Sequence, residues 1–321
     1  MIAWLDADTD DQARMRDIIK LFTDRDSRDE LGLGQVRDAI SDGLFPGTSV
    51  LLTRARYLLF VPWCFQLAEG KPFSLALAEK HERALITTLR KSGSNDLTGL
   101  LGARVGQALQ TLPSTIYWGS LRRYGIVRED YAWKSDVFNP VTRGMDGDDE
   151  GARKSATAWS HTIPPAPGDF PYSLGRAFDL SREEAGWLRD RILDSSPGTV
   201  LAHLMESPPL KESRTPWSDP SARAAEGEAG GLLRNAEAFS TAMQGASLLY
   251  NLLLAEEYEA NIPDERRRLQ TPVSDYRDGL TQWAGRATSA RLQDWDVRDL
   301  WAWVFGTAKA TIAPGTERFI S

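Results

Sequence analysis

Apolar residues recur at helical spacing along most of the chain, and polar residues occupy the positions between them. Within residues 74–89, for example, Leu85 and Leu89 fall on one face of a helix. No run of alternating apolar and polar positions is long enough to predict a sheet. The pattern therefore predicts a mostly α protein, with helices over residues 11–22, 50–67, 74–89, 97–109, 113–124, 232–258, 275–286 and 297–309 and one beginning after Ser181.

Three of these helices carry further local signals. Ser181 and Glu184 form the S-x-x-E pattern of a capping box, which marks a helix start. Pro62 lies inside the apolar helix that precedes residue 67, and it predicts a kink or a break there. Small residues such as Gly245 in the helix of residues 232–258 predict close packing against a neighbour.

A change of composition suggests where the chain divides. Residues 139–171 are rich in proline and glycine, contain an acidic cluster and show little periodicity, which is typical of a linker. We therefore expect a two-lobed protein, with an N-terminal helical domain at 1–138 and a C-terminal helical domain at 172–321. The length of 321 residues fits this division, because one domain usually has about 100–200 residues.

Charge is unevenly distributed along the chain. The formal net charge is −7, yet residues 50–128 contain eleven basic and four acidic residues, a net charge of +7. A local basic block can bind a polyanion even in an acidic protein, because salt screens each patch from distant charges. Pairing of these cations with acidic segments elsewhere in the chain is the alternative.

The residues needed for several kinds of chemistry are missing from the sequence. A lone cysteine, Cys64, excludes an intramolecular disulfide and lies in an apolar run, which indicates a buried side chain. The three histidines are far apart, and no phosphate-binding glycine loop is present, so we expect no metal and no cofactor. The longest apolar run, residues 57–65, is too short to cross a membrane, and the acidic N-terminus does not resemble a leader. A cytoplasmic protein without a membrane partner is expected.

Residues 97–124 contain the one sequence pattern that points to a particular mode of binding. An apolar stripe predicts a helix over 97–109, and a short turn then leads to Pro113 and a second helix that ends at Gly125. A helix, a short turn and a second helix are typical of a helix-turn-helix, and residues 74–138 would form a winged helix. The alternatives are a winged helix used for protein contact, or two helices that only build the core.

The second of these helices supplies most of the candidate DNA contacts. A helical projection places hydroxyl, aromatic and guanidinium groups on the face opposite its apolar side. The predicted DNA-binding residues of this segment are Arg104, Thr115, Trp118, Arg122 and Arg123. If the segment only builds the core, Trp118 is buried instead.

Arg54 and Arg56 extend the list of candidates. Both lie in a largely apolar stretch, where a guanidinium needs a partner. A buried salt bridge to an acidic residue near the N-terminus is the favoured interpretation, and a phosphate contact near a helix start is the alternative.

Five stretches of the sequence read MIAWLD, DELGLGQVRDAISDGLFPGTS, LLTRARYLLFVPW, LPSTIYWGSLRRYGI and FSTAMQGASLLYNLLLAE. Together they resemble an uncharacterised bacterial family of unknown function, and the resemblance covers most of the chain. It implies a cellular setting rather than a reaction, because members of that family tend to be encoded in anti-phage defence islands, beside helicases, methyltransferases or phospholipase-D-like nucleases. Members also tend to have longer C-termini than this chain.

Together these observations predict a non-catalytic accessory protein of a bacterial defence system that contacts DNA through its helix-turn-helix. The first alternative is a scaffold that docks a partner nuclease, helicase or methyltransferase. The eleven tryptophans favour it modestly, since tryptophan is enriched at protein interfaces. The second alternative is an enzyme with a site between the lobes, which predicts a deep pocket lined by carboxylates or histidine.

Overall fold

The computed structural model describes residues 33–91, 98–138, 157–210, 212–263 and 266–306. These residues form ten α-helices and no β-strand, which confirms the prediction of a mostly α protein. None of the helices in these ranges is long and apolar enough to cross a lipid bilayer. In chain order they are α1 (Leu33–Leu44), α2 (Tyr57–Gln66), α3 (Ser74–Lys91), α4 (Pro113–Arg123), α5 (Arg182–Ser195), α6 (Val200–Glu206), α7 (Pro220–Arg223), α8 (Gly227–Asn261), α9 (Pro272–Ser289) and α10 (Val297–Gly306).

Packing divides the chain into two compact units. The central unit is Pro46–Pro197, and the terminal unit combines Met1–Phe45 with Gly198–Ser321. The described part of the predicted linker, residues 139–171, lies within the central unit, where Trp159 is buried. These units differ from the domains predicted from composition, because proline-rich chain without periodicity can still pack against a core.

The central unit is built around α2, of which nine residues in ten are buried. The helix predicted over residues 50–67 begins only at Tyr57. Before that point, the hydroxyl of Tyr117 on α4 accepts hydrogen bonds from the backbone N–H groups of Thr53 and Arg54, at 2.8 and 3.0 Å. A tertiary contact therefore takes the place of the first helical turns.

Aromatic contacts join α2 to segments far away in sequence. The helix continues through Pro62, so the predicted kink or break does not divide it. Phe60 stacks on Phe170 with ring centroids 6.0 Å apart, and Phe65 meets the edge of Trp159 at 5.7 Å. These rings hold the segment between α4 and α5 against α2.

Two further helices of the central unit match their sequence patterns. In α3, Leu85, Ile86 and Leu89 are buried against α2, as its amphipathic pattern predicts. At the start of α5, the Ser181 hydroxyl accepts the Glu184 N–H at 3.1 Å, and the Glu184 carboxylate accepts the Ser181 N–H at 2.7 Å. This confirms the capping box.

The terminal unit is organised by α8, a helix of 35 residues that packs against α9. Its close packing rests on glycine, because a Cβ added at Gly245 would lie 2.4 Å from the ring of Trp283. Gly43 on α1 faces the ring of Trp303 on α10 in the same way. The long helix and the close packing predicted around Gly245 are confirmed. The helix predicted over residues 11–22 lies outside the described residues.

Candidate nucleic-acid interface

The predicted first helix of the helix-turn-helix, residues 97–109, is not an α-helix in its described part, which forms turns and one short 3₁₀ turn. Gly99, Gly102 and Gly106 adopt φ angles of 78°, 82° and 59°. Such left-handed conformations interrupt a right-handed helix. Val105, predicted to face the core, is 56% exposed. This part of the prediction was wrong, because the glycines outweigh the apolar spacing.

The predicted second helix does form, as α4. Pro113 is its first residue, and Gly125 follows its end with a φ of 61°. More of its side chains are buried than the helical projection of the sequence predicts. Tyr117 and Leu121 are buried on the expected side, and Trp118 is buried as well. Most of the surface of α4 is therefore unavailable to a groove of DNA.

Trp118 lies in the core of the central unit and is 2% exposed. Its indole N–H donates to the backbone carbonyl of Tyr131 at 3.2 Å. Its ring contacts Phe65 and Trp159, with centroids 5.8 and 5.9 Å away. This corresponds to the alternative in which Trp118 builds the core.

The other candidates on α4 are engaged to different degrees. The Thr115 hydroxyl accepts a hydrogen bond from the Lys134 ammonium at 3.3 Å. Arg122 is half-buried, and its Nη2 donates to the carbonyl of Glu129 at 3.0 Å. Among the four candidates on this helix, Arg123 alone is exposed.

Arg56 is 4% exposed and lies in an ion pair, its Nη2 atom 2.8 Å from Oε1 of Glu184 on α5. Its Nη1 also donates to the carbonyl of Ala177 at 2.9 Å. The favoured interpretation of a buried salt bridge is confirmed for Arg56, but its partner is Glu184 and not an N-terminal acid. Arg54 donates from Nε to the carbonyl of Thr98 at 2.8 Å, so it holds the segment that precedes α4.

Two lysines that were not among the predicted candidates lie on one side of α3, with two small residues between them. Lys80, Ala84, Thr87 and Lys91 follow one another at intervals of four, three and four residues, which places them on one side of the helix. Both lysines are exposed. We call these four residues the basic stripe.

One end of the basic stripe borders a pocket of about 430 Å³, here called the α3 pocket. Gln107 lines this pocket, and we call the segment that carries it, residues 98–109, the wall segment. Gln107 donates from Nε2 to the Thr87 hydroxyl at 2.9 Å, and Arg83 donates to the carbonyls of Gln107 and Leu109 at 2.6 and 2.8 Å. These bonds tie the wall to α3. The polar and aromatic residues lining the pocket are Thr87, Thr88, Lys91, Gln107, Tyr172 and Ser173.

The surroundings of the α3 pocket are positively charged. Arg90 and Arg104 are exposed, and the Arg90 guanidinium lies beside Gly106 in the wall segment. Within the part of the chain that the structure describes, Lys80, Lys91, Arg90 and Arg104 take part in no ion pair. Arg104 is thus the one predicted DNA-binding residue that lies in the segment lining this pocket.

The two carboxylates of α3 are engaged elsewhere. Glu79 pairs with the Lys134 ammonium at 2.9 Å. Glu82 is fully buried, and its Oε2 accepts the backbone N–H of Ser114 at 2.9 Å. Burial raises the pKa of Glu82 to about 7, against the smaller opposing effect of the Ser114 hydrogen bond. Neither carboxylate therefore pairs with the cations of the basic stripe.

The α3 pocket is not the one that an enzyme hypothesis predicts. No carboxylate or imidazole lines it. No group of three metal-ligating side chains occurs among the described residues. Cys64 is buried, and burial raises the pKa of its thiol well above the ordinary value, so it remains a thiol.

The candidates predicted from the sequence did not include Lys80, Lys91, Gln107 or Tyr172. The spacing of the two lysines on the polar side of an amphipathic helix, inside a basic block, is a signal that could have identified them. No sequence signal links them to Tyr172, which is 81 positions from Lys91 and reaches the pocket only through the fold.

Comparison with curated proteins and with solved structures finds no match to this chain. The chain does match the Family of unknown function (DUF6361), and the match extends over residues 1–320. Since this range covers nearly every residue, the chain belongs to the DUF6361 family of unknown function.

Proposed function

We propose that this chain is a non-catalytic accessory protein that contacts DNA, in the bacterial anti-phage setting that its family resemblance implies. The observation that carries the proposal is the basic stripe, with exposed Lys80 and Lys91 on one side of α3. Arg90 and Arg104 add two exposed cations beside the wall segment.

The dimensions of the basic stripe suit a phosphate backbone. A rise of about 1.5 Å per residue separates Lys80 from Lys91 by about 16 Å along α3. Cations along such a length can neutralise several phosphates, and the release of condensed counterions favours binding. The Thr87 hydroxyl, between the two lysines, already donates to the carbonyl of Arg83 at 3.3 Å and accepts from Gln107, so the proposed donors to phosphate oxygens are the two ammonium groups.

The proposed DNA contact lies on α3 rather than on α4. A recognition helix must present its side chains to base edges. On α4, Trp118 is buried and Thr115 is bonded to Lys134, which leaves Arg123 as its exposed candidate. Arg104 is retained from the original candidates, because it is exposed in the segment bordering the α3 pocket.

The test is fluorescence anisotropy with labelled DNA at two salt concentrations. Four cations are proposed to contact phosphates, namely Lys80, Arg90, Lys91 and Arg104. If all of them do so, the affinity for DNA falls roughly 100-fold between about 50 and 200 mM salt. The double variant Lys80→Glu/Lys91→Glu is expected to weaken binding at least roughly tenfold at low salt. It also reduces the slope of log K against log salt by about 2.

The matched control reverses two charges on α4, as Arg122→Glu/Arg123→Glu. This variant has the same change in net charge, and we expect it to bind DNA several-fold more tightly than the α3 variant. Circular dichroism checks that both variants are folded. Loss of binding in the α4 variant with full binding by Lys80→Glu/Lys91→Glu would reject the basic stripe as the contact. Failure of the folded wild type to bind at low salt would reject DNA contact altogether.

A second candidate function, protein docking, is favoured by an apolar patch on α8. Leu249, Tyr250 and Leu253 are 51%, 60% and 57% exposed at adjacent positions of this helix. Neighbouring exposed apolar side chains of this kind often mark a contact site for another protein. The patch lies in the terminal unit, so this function and DNA contact by the central unit are separable.

Docking is tested by co-expression with the proteins encoded beside this chain. A partner nuclease, helicase or methyltransferase is expected to co-purify with the wild type and not with Leu249→Glu/Leu253→Glu. A matched control, Val50→Glu/Leu51→Glu, changes two exposed apolar residues of the central unit and should retain the partner. Retention of the partner by the α8 variant would exclude the patch.

A further inference from the structure

Tyr172 stands out among the residues lining the α3 pocket, because this residue is 67% exposed while the chain around it is anchored. Phe170, two residues earlier, is buried, with its ring 5.3 Å from that of Trp63. The backbone N–H groups of Tyr172 and Ser173 both donate to the carbonyl of Asp169, at 2.9 and 3.0 Å. An exposed aromatic ring is thus held on a hydrogen-bonded turn at the edge of a polar pocket.

The remainder of the pocket is polar and positively charged. Lys91 provides an ammonium group that no described carboxylate pairs with. The Gln107 side chain is positioned by its hydrogen bond to Thr87, which leaves its carbonyl oxygen as an acceptor. The Thr88 hydroxyl donates to the carbonyl of Ala84 at 3.2 Å and can still accept a hydrogen bond, and the Ser173 hydroxyl also lines the pocket. One aromatic ring therefore lines the same pocket as a cation and several hydrogen-bonding groups.

We infer that the α3 pocket takes one unpaired nucleotide of a single strand, with its base stacked on Tyr172 and its phosphate on Lys91. This inference rests on the proposed function and specifies the form of DNA that the basic stripe contacts. A basic groove combined with an aromatic stacking surface is the arrangement that binds single strands without reading sequence. Inside a duplex, both faces of each base are stacked on neighbours, so Tyr172 would have no base to contact.

The volume of the pocket agrees with a ligand of this size. At about 430 Å³ it falls in the range of about 300–1,000 Å³ that is typical of small-molecule sites. Beyond the pocket, Lys80 continues the same side of α3 and offers a cation to the phosphates of neighbouring nucleotides. Single strands should therefore bind more tightly than duplexes of the same sequence.

The experiment compares a labelled oligothymidylate with a duplex of equal length, by fluorescence anisotropy at low salt with the full chain. We expect Tyr172→Ala to weaken single-strand binding about tenfold and to leave duplex binding within about twofold of the wild type. Tyr172→Phe keeps the ring and should bind the single strand nearly as well as the wild type. The matched control is Phe305→Ala, which removes an exposed aromatic ring of the terminal unit, on α10, and should change neither affinity.

The proposed contact between Lys91 and a phosphate is tested separately, through the salt dependence of single-strand binding. Lys91→Gln is expected to reduce the salt slope of single-strand binding by about 0.7, whereas Tyr172→Ala leaves that slope unchanged. An unchanged single-strand affinity in Tyr172→Ala, or an equal loss for both forms of DNA, would overturn the inference. The basic stripe would still stand if Lys80→Glu/Lys91→Glu weakened binding in the same assay.

A free nucleotide has the same chemistry as one unit of a strand, so thymidine monophosphate is titrated as a competitor. We expect the mononucleotide to compete at least 100-fold less effectively than the oligothymidylate, because it leaves the cations outside the pocket unoccupied. Competition by the mononucleotide at the same concentration as the strand would overturn the single-strand inference. In that case the pocket would be a nucleotide site independent of DNA contact.

Discussion

The carboxylate of Glu82 is buried inside the central unit, where it accepts the backbone N–H of Ser114 in the first turn of α4. Burial removes the water that would stabilise its charge, and this raises its pKa from 4.5 to about 7. The Ser114 hydrogen bond and the charge of Lys134 oppose the shift, and the charge of Glu79 adds to it.

This shift predicts a pH dependence of stability. Between about pH 4.5 and 7, the folded chain holds a proton on Glu82 that the unfolded chain releases, so the free energy of unfolding falls as the pH rises. The loss over this window is up to about 3 kcal/mol. Glu82→Gln keeps an acceptor for Ser114 and cannot ionise, so its stability should decline less over the window. Urea unfolding at several pH values measures this difference, and equal slopes for both proteins would contradict it.

Glu184 combines two roles at one residue. Its Oε1 pairs with the buried guanidinium of Arg56, and its Oε2 completes the capping box of α5. Glu184→Gln can still accept the Ser181 N–H, but it leaves the charge of Arg56 without a counterion. We expect this change to cost about 3–5 kcal/mol of stability. Glu183→Gln, one position earlier and exposed, should cost less than about 1 kcal/mol in the same denaturation assay. Similar losses in both variants would show that the ion pair does not stabilise the unit.

At the scale of elements, glycine decides where helices form in the central unit. The wall segment contains three glycines with positive φ, and α4 contains Gly119, which is exposed with no heavy atom within 4 Å of an added Cβ. An alanine side chain is therefore compatible with the backbone at Gly119 and unfavourable in the wall segment.

The same substitution should have opposite effects at two of these positions. Gly106→Ala places a Cβ on a backbone with φ of 59° and 2.5 Å from the Arg90 guanidinium, so we expect it to destabilise the protein by about 1 kcal/mol. Gly119→Ala replaces a glycine inside a helix and should stabilise it by up to about 1 kcal/mol. Thermal denaturation compares them directly, and stabilisation by Gly106→Ala would contradict the described turn. Because Arg90 is one of the four cations proposed to contact DNA, and an added Cβ at Gly106 would displace its guanidinium, Gly106→Ala should also weaken binding to DNA.

At the scale of the whole molecule, the two units carry different features. The basic stripe and the α3 pocket lie within Pro46–Pro197, whereas the apolar patch of α8 lies in the terminal unit. The contact between α8 and α9 in the terminal unit depends on the absence of a side chain at Gly245.

This arrangement predicts that stability and DNA contact can be separated. Gly245→Ala places a Cβ 2.4 Å from the ring of Trp283, and such overpacking should cost about 1–3 kcal/mol. DNA binding by the folded variant should remain within twofold of the wild type, because the basic stripe belongs to the central unit. Gly285→Ala on α9, where an added Cβ meets nothing within 4 Å, is the matched control and should not be destabilising. Loss of DNA binding with retained fold would contradict a separate contact in the central unit.

The sequence by itself determined those features that depend on neighbouring residues. Helical apolar spacing, the capping box at Ser181 and the start of α4 at Pro113 all act within a few positions, so they could be recognised without a fold. The burial of Cys64 followed from the apolar run around it. The basic block was equally evident, since it is a matter of composition.

Tertiary structure decided which of the candidate residues are buried, which are paired within the protein and which can reach a ligand. Trp118 lies on the polar side of a projected helix, but the segment between α4 and α5 packs over it and buries it. Arg56 finds its partner in α5, which is 128 positions away. Tyr172 and Lys91 are also distant in sequence, and the fold brings them together in one pocket. Burial, ion pairing and pocket formation depend on contacts between residues distant in sequence, and local spacing contains no information about which distant segments will meet.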